Sequence, residues 1–126
     1  MVGDQIGPLR HEVDARWLMA YAASLGDTQD CYFDTRRTEG IVAHPMFAVC
    51  PEWPVIVQGR ELANKWGITA EETRQSVHAT HDLVIHRLAK PGDVLSTHLT
   101  YTGVESKSPG AYTTMKIETV DAAGEP

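Results

Sequence analysis

The sequence predicts an α+β fold in which a helix lies across one face of an antiparallel sheet. Two helical patterns, at residues 15–25 and 54–66, occupy the first half of the chain. Three runs rich in valine, isoleucine, threonine and tyrosine follow at residues 76–87, 94–103 and 111–120. Helices followed by a group of strands are typical of this class.

The first helix is expected to begin after Asp14, because aspartate caps helices by accepting a hydrogen bond from the first turn. Its apolar residues recur at helical spacing. They are Trp17, Leu18, Tyr21, Ala22 and Leu25. Gly26 fits the left-handed position that follows a helix. Residues 26–51 are then predicted to be a loop with short turns, because glycine and proline interrupt them.

The second helix is expected to begin around Pro54, since proline suits the first turn, where its missing N–H is not needed. Its buried stripe is predicted to contain Val55, Ile56, Gly59, Leu62, Ala63 and Trp66. Gly59 on this stripe suggests that another backbone passes close to it, and Gly67 is expected to end the helix. Residues 69–72 have the spacing of a capping box and predict a further short helical turn.

The three β-rich runs are separated by AKPGD and ESKSPG, and this pattern predicts an antiparallel meander. The sequence then stops at DAAGEP, which has the composition of another turn. A sheet edge left without a partner is normally covered or blunted. Residues 1–126 are therefore interpreted as one domain that lacks its last strand, either trimmed or the front part of a longer protein.

Composition and charge disfavour several classes of function. The net charge is −6 and no stretch concentrates lysine and arginine, so nucleic acid is not an expected partner. No apolar run approaches the roughly 20 residues that span a bilayer, and the N-terminus lacks a secretory pattern. Cys31 and Cys50 have no CxxC spacing. We therefore expect a cytoplasmic protein with reduced thiols and no membrane partner.

Residues 21–34 read YAASLGDTQDCYFD, which holds more acidic and aromatic residues than a turn after a helix requires. The stretch resembles the active-site segment of the MaoC-like hot-dog family, the (R)-specific enoyl-CoA hydratases and β-hydroxyacyl dehydratases. That segment runs Tyr, small residues, Gly-Asp-x-Asn-Pro-x-His, and an acid two residues later. The positions that match are Tyr21, Ala22, Gly26, Asp27 and Asp34. The positions that depart from it are Gln29, Asp30 and Tyr32.

The resemblance extends over most of the chain. AHPMF at 43–47 is similar to the family's approach to its central helix, and residues 77–96 are similar to its strand, basic turn and Pro-Gly-Asp hairpin. The resemblance implies a hot-dog fold, an antiparallel sheet wrapped around a central helix. It also implies an acyl-CoA or enoyl-CoA substrate, no metal or redox cofactor, and a homodimer or a pairing with a second hot-dog domain.

The resemblance implies that Asp27 is the catalytic carboxylate. Hydration of an enoyl thioester needs a base for water and an acid for the α-carbon, and a carboxylate with an imidazole can serve both roles. Tyr32 occupies the imidazole position, but with a reference pKa near 10 it is a poor base and is expected only to assist. N–H groups after Pro45 are candidates to stabilise the enolate oxygen. A degraded motif is typical of the front half of two-domain family members.

Other residues are expected to bind the substrate because the resemblance places them near the acyl chain. They are Tyr21, Gly26, His44, Pro45, Met46, Phe47, His86 and Arg87. Basic side chains that could meet the phosphates of coenzyme A are Arg36, Arg37, Arg87 and Lys90, although ordinary surface positions are the alternative.

A metal site is not expected. His78, His81 and His86 would lie on one strand, with His81 on the opposite face. At about 3.3 Å per residue, His78 and His86 would be roughly 26 Å apart.

Two other functions stay open. One is a non-catalytic binding or structural hot-dog subunit, which the loss of the motif histidine favours. The other is a hot-dog thioesterase, in which an acid activates water to cleave the thioester. Gly26 and Asp27 together with Tyr21 favour hydratase ancestry over a thioesterase. The simplest alternative is that Asp27 only caps a local turn.

Overall fold

The computed structural model describes residues 1–108 and 110–126, and the side chains of Ala63 and Asn64 lie outside the described part. Its elements are β1 (Gln5–Glu12), α1 (Ala15–Ser24), α2 (Asp30–Phe33), a 3-10 helix (Pro45–Ala48), α3 (Val49–Glu61), a second 3-10 helix (Leu62–Trp66), α4 (Ala70–Arg74), β2 (Val94–Lys107) and β3 (Gly110–Val120). In the described part of the chain, no helix is both long and apolar enough to cross a bilayer.

The sheet has the order β1-β2-β3 and is antiparallel throughout. β2 and β3 form the predicted hairpin, although Pro109 of the predicted turn lies outside the described residues. The prediction missed β1. Its Gly7-Pro8 pair is typical of a strand end, and the pairing register shifts between Ile6 and Leu9. The sequence of this strand therefore does not show the regular alternation of apolar and polar side chains.

The predicted strand at residues 76–87 is wrong. In the described part of the chain these residues pair with no strand, and we call residues 76–88 the connecting segment. Side chains hold the segment to β3, through a 2.9 Å hydrogen bond between the Thr80 and Tyr112 hydroxyls. Val77 and Val84 are 86% and 76% exposed. Its β-branched composition favours an extended backbone, but composition alone cannot supply a hydrogen-bonding partner.

Helix α1 begins and ends where the sequence predicts. The Asp14 carboxylate accepts a 2.7 Å hydrogen bond from the Trp17 N–H, and Gly26 has a φ of +71°. The buried stripe is narrower than predicted, because only Leu18 and Ala22 are fully buried and Leu25 is half exposed. The predicted capping box before α4 is confirmed as well.

Helix α3 begins earlier than predicted, at Val49, so Pro54 lies inside it rather than in its first turn. The reason is the 3-10 helix before it, which Pro45 starts. Proline inside a helix removes one backbone hydrogen bond, here the one that residue 54 would donate to Cys50. The predicted end is confirmed, since the second 3-10 helix stops before Gly67, whose φ is +75°.

Helix α3 lies across the sheet, as predicted, with Val55 buried against Ile6, Leu99 and Tyr101. Gly59 makes this contact possible. A Cβ at this position would lie 2.5 Å from the Tyr101 hydroxyl oxygen. The predicted close neighbour of this glycine is therefore a side chain of β2 and not a passing backbone. A second core cluster joins α1 to the approach to α3, around Phe47 and Leu18.

We expect Gly59→Ala to destabilise the domain by about 1–3 kcal/mol, because the added methyl group overpacks the contact between α3 and β2. Tyr101→Phe removes the oxygen that the methyl group would meet, so it should recover part of the loss in the double variant. Gly103→Ala is the matched control, since its Cβ would meet Thr114 atoms at an ordinary 3.6 Å. Urea unfolding of the native chain and the four variants measures these differences. Equal losses with and without the Tyr101 hydroxyl would contradict the contact.

Candidate active site

The loop after α1 places the Asp27 carboxylate. The left-handed backbone of Gly26 turns the chain, and the Asp27 N–H donates to the Ala22 carbonyl at 3.1 Å. The carboxylate then accepts hydrogen bonds from Gln29, through the backbone N–H at 3.3 Å and the side-chain amide at 3.1 Å. A local turn therefore holds Asp27. This is the arrangement expected if Asp27 only caps that turn.

A second contact goes beyond a local turn. The His44 Nε2 atom lies 3.5 Å from the Asp27 Oδ2 atom, and both side chains are mostly buried. This distance is longer than an ordinary hydrogen bond, so the contact is electrostatic. The site therefore contains a carboxylate and an imidazole, although the motif position of the histidine is occupied by Tyr32. The imidazole comes from the loop that leads to α3 and not from the motif.

Both ring nitrogens of His44 are engaged. Its Nδ1 atom accepts a 3.1 Å hydrogen bond from the Met46 N–H, and this contact caps the 3-10 helix at Pro45–Ala48. A neutral imidazole has one donor and one acceptor nitrogen. Accepting at Nδ1 therefore assigns the hydrogen to Nε2, which faces Asp27. In this tautomer the Nε2–H group of His44 points towards the Asp27 carboxylate.

Tyr32 lies beside this pair on α2, a short helix within residues predicted to be loop. Its ring is buried, and its centroid is 5.3 Å from that of His44. Burial raises the pKa of the Tyr32 hydroxyl, and the neighbouring Cys31 and Asp27 raise it further. A phenol in this setting keeps its proton, so it can donate a hydrogen bond or position water. The geometry gives no support for Tyr32 as a base.

The predicted donors for an enolate oxygen are already used. Pro45 has no N–H, the Met46 N–H donates to the His44 ring, and the Phe47 N–H donates to the His44 carbonyl at 2.8 Å. The turn after Pro45 therefore holds His44 in place. Phe47 is buried in the core, where its ring packs edge-on against Trp17 at 4.8 Å.

The structure divides the predicted substrate-binding residues into two groups. One group lines a groove of about 490 Å³ between α3, β3 and the connecting segment, which we call the α3 groove. It comprises His44, Pro45, Phe47, His86 and Arg87. The other group, which does not line the α3 groove in the described part of the chain, comprises Tyr21, Gly26 and Met46. His44 connects the groove to Asp27, which also lies outside the lining.

Predicted phosphate-binding arginines all contact carboxylates. Arg36 pairs with Asp34, the motif's second acid, at 2.9 Å, and Arg37 pairs with Glu39. Arg87 donates to Asp93 at 2.6 Å and to Asp121 at 3.1 Å. Asp34 is therefore engaged by Arg36.

The histidines of the connecting segment do not alternate as a strand would place them. The rings of His78 and His81 stack at 5.4 Å, so the predicted opposite orientation is wrong. His81 instead faces α3, with its Nε2 atom 3.3 Å from the Glu52 Oε2 atom. Among the residues that the structure describes, no group of three or more histidine, cysteine or acidic side chains could hold a metal ion.

Sequence reasoning missed two features of the site. The first is the role of His44 beside Asp27, and the second is Glu52, which is buried in α3. Glu52 lies two residues before the predicted start of this helix, so the predicted buried stripe did not include it. The cysteines are both free, and burial raises the pKa of the Cys50 thiol, which disfavours a nucleophilic role.

Comparison with known proteins identifies the family. The family described as FAS1-like, dehydratase domain region, matches residues 1–126. No curated protein sequence matches the chain. A MaoC-like dehydratase from Rhodospirillum rubrum has a similar structure, with a TM-score of 0.68, 21% identity, and coverage of 99% of this chain and 84% of that one.

A monoamine oxidase regulatory protein from Archaeoglobus fulgius is also similar, with a TM-score of 0.64 and 14% identity over 99% of this chain and 82% of that one. These likenesses confirm the α+β hot-dog fold. The family match over the whole chain shows that the chain belongs to the FAS1-like dehydratase domain region family.

Proposed function

We propose that this domain adds water to, or removes it from, an acyl-CoA thioester, with Asp27 as the proton-transfer group. The observation that carries the proposal is the 3.5 Å approach of the His44 imidazole to the Asp27 carboxylate. If the carboxylate served only as a turn cap, its hydrogen bonds from Gln29 would be sufficient. The histidine adds a second, largely buried contact that orients the carboxylate.

In the hydration direction, Asp27 accepts a proton from water while the water oxygen bonds to the β-carbon of the enoyl group. The electron pair of the double bond moves towards the thioester carbonyl, and an enolate forms. The carboxyl group then returns the proton to the α-carbon, which regenerates the carboxylate. Dehydration is the same sequence in reverse. Tyr32 assists by positioning the water and packing against the His44 ring.

We expect Asp27→Asn to lower crotonyl-CoA hydration by about 10² to 10⁴, because an amide cannot accept the proton. Asp34→Asn is the matched control, since this acid is paired with Arg36 and should leave the rate almost unchanged. Tyr32→Phe should cost less than about tenfold, because a protonated phenol supplies one hydrogen bond. The ultraviolet absorbance of the enoyl thioester follows the reaction.

His44→Asn separates the two roles of the histidine. An asparagine can still cap the 3-10 helix, so the fold should be retained, while the contact with Asp27 is lost. The rate should fall while the unfolding midpoint stays close to that of the native chain. Equal rates in the native, Asp27→Asn and His44→Asn proteins would contradict the proposed site.

Ligand binding and product analysis distinguish the proposed hydratase from the two other candidate functions, a non-catalytic subunit and a thioesterase. An acyl-CoA that binds only the folded chain stabilises it by about 2.7 kcal/mol at a hundredfold excess over its dissociation constant. We expect crotonyl-CoA to raise the unfolding midpoint more than free coenzyme A does. Stabilisation without turnover would favour the binding subunit, and release of free thiol would favour the thioesterase. No stabilisation by any acyl-CoA would contradict the substrate class.

We also propose that the domain functions as a pair, either with itself or with a second hot-dog domain. The turn after Pro45 has its first N–H groups engaged, so a partner is a source of donors for the enolate oxygen. Trp53 and Val57 lie one turn apart on α3 and are 52% and 39% exposed. This apolar surface suits packing of helix against helix.

Sedimentation at micromolar concentration should show a dimer or a larger species. Trp53→Asp together with Val57→Asp should shift it towards the monomer, because buried charges without partners oppose association. Val2→Asp is the control, since this residue is exposed but lies far from α3 in the sequence. A native chain that sediments as a monomer would contradict helix-to-helix pairing with itself and leave only the second hot-dog domain as the partner.

A further inference from the structure

The α3 groove runs along the backbone edges of two extended segments. Its lining includes residues 116–120 of β3 and residues 82–88 of the connecting segment, each as an unbroken run. Side chains alternate between the two faces of a strand, so a groove over one face would be lined by every second residue. Consecutive residues on both walls therefore indicate a groove that lies between the two backbones.

Both backbone edges lack partners among the described residues. The sheet order is β1-β2-β3, so β3 is an edge strand. In the described part of the chain, residues 77–88 make no hydrogen bond with another backbone group. Two rows of unpaired N–H and C=O groups therefore flank the groove, and such rows are a template for a further strand.

The contacts of Tyr101 show which groups of β3 face the groove. Its N–H donates to the Asp4 carbonyl at 3.0 Å, so its backbone groups point to the β1 side of the sheet. Backbone groups alternate in direction along a strand, so those of Leu99 point the same way. Ile117 is the partner of Leu99 in β3, and the two form a pair without hydrogen bonds. The N–H and C=O groups of Ile117 and Thr119 therefore point into the groove.

The chain turns back into this groove after β3. The Asp121 N–H donates to the Glu125 carbonyl at 2.8 Å, across a three-residue loop in which Gly124 has a φ of +83°. A three-residue loop that ends on a left-handed glycine is a common β-hairpin connection. Glu125 and Pro126 both line the groove. Because Asp121 lies two residues after Thr119, its bond to Glu125 is the first one of a new antiparallel ladder on this edge.

We propose that the α3 groove is the seat of a further β-strand, formed by polypeptide that continues from Pro126 and runs antiparallel to β3. The connecting segment runs in the same direction as β3, because Thr80 contacts Tyr112 and Arg87 contacts Asp121. One strand can therefore pair in antiparallel orientation with both walls at once.

The same strand accounts for the composition of the connecting segment. Residues 76–87 have the β-branched composition of a strand, yet they pair with none of the described strands. Val84, in the groove wall, is 76% exposed. A strand seated beside this segment would supply backbone partners and reduce that exposure. The two walls of the groove would then belong to one continuous sheet.

The pairing fixes the phase of the new strand's side chains. Residues directly opposite each other in an antiparallel pair share one face of the sheet. Ile117 packs against the core cluster around Val55, and the third residue after Pro126 would lie opposite it. Thr119 bonds to the buried Thr97 hydroxyl at 2.8 Å, and the first residue after Pro126 would lie opposite it. The first, third and fifth residues after Pro126 are therefore expected to be apolar, and those between them polar.

Two extensions of identical composition test this phase. Val-Thr-Val-Thr-Val-Thr added after Pro126 directs its valines towards α3, whereas Thr-Val-Thr-Val-Thr-Val directs them to solvent. We expect the first extension to slow hydrogen exchange of the Ile117 and Thr119 amides about tenfold relative to the native chain, as one net hydrogen bond implies. It should also raise the urea midpoint. The second extension should do much less.

Gly-Ser-Gly-Ser-Gly-Ser is the control for added length, because a flexible chain of this kind does not favour a strand, and it should leave both measurements unchanged. If either phased extension aggregates, lysine in place of threonine in both of them keeps the comparison, since lysine opposes pairing between edges.

Equal protection by the two phased extensions, or no protection by either, would overturn the proposal. Protection of the same amides in the native chain that grows with protein concentration would assign the edge to a second copy, and would also overturn it. Slower exchange on adding dodecanoyl-CoA to the native chain, with none from the first extension, would assign the groove to an acyl chain instead. These measurements do not depend on hydratase activity, so failure of the proposed function leaves them interpretable.

Discussion

The candidate site depends on one imidazole that is used at both of its nitrogens. The Nδ1 atom of His44 caps the turn that leads into α3, and the Nε2 atom faces Asp27. The approach to the central helix and the loop after α1 are therefore connected through a single ring. Because the cap assigns the hydrogen to Nε2, the histidine is a donor towards the site. In the proposed mechanism, proton transfer is therefore assigned to the carboxylate.

The position of His44 changes how the replacement of the motif histidine by Tyr32 is interpreted. In the family's segment the imidazole follows the acid within the same loop. Here a buried tyrosine occupies that place, and the imidazole arrives from the next loop, against the same aromatic ring. A histidine missing from the motif is therefore not missing from the site. The interpretation of the chain as a front half rests on this motif and on the turn-like residues at its end, and it stays a prediction.

Features that depend on neighbours within a few positions could be read from the sequence. The cap at Asp14, the left-handed Gly26 and the capping box before α4 are of this kind, and all three are confirmed. Features that depend on a distant partner could not. The run at residues 76–87 has the composition of a strand but pairs with none of the described ones, whereas β1 pairs despite its Gly-Pro interruption.

The same distinction explains the site. Asp27 and Tyr32 lie in one short stretch, so their proximity could be predicted. His44 reaches Asp27 only because the core fixes the path of its loop, where Ile41, Ala43 and Phe47 are each about 2% exposed or less. The pairing of His81 with Glu52 likewise depends on how the connecting segment crosses α3. Neither contact could be predicted from the periodicity of the sequence.

Charge patterning also has a consequence for the substrate. The domain is acidic overall, and the arginines expected to meet phosphates are already paired with Asp34, Glu39, Asp93 and Asp121. Exposed pairs of this kind contribute little to stability, so a phosphate could replace a carboxylate at little cost, but with little net gain. In the function proposed above, recognition of a thioester would therefore depend mainly on burial of its acyl group.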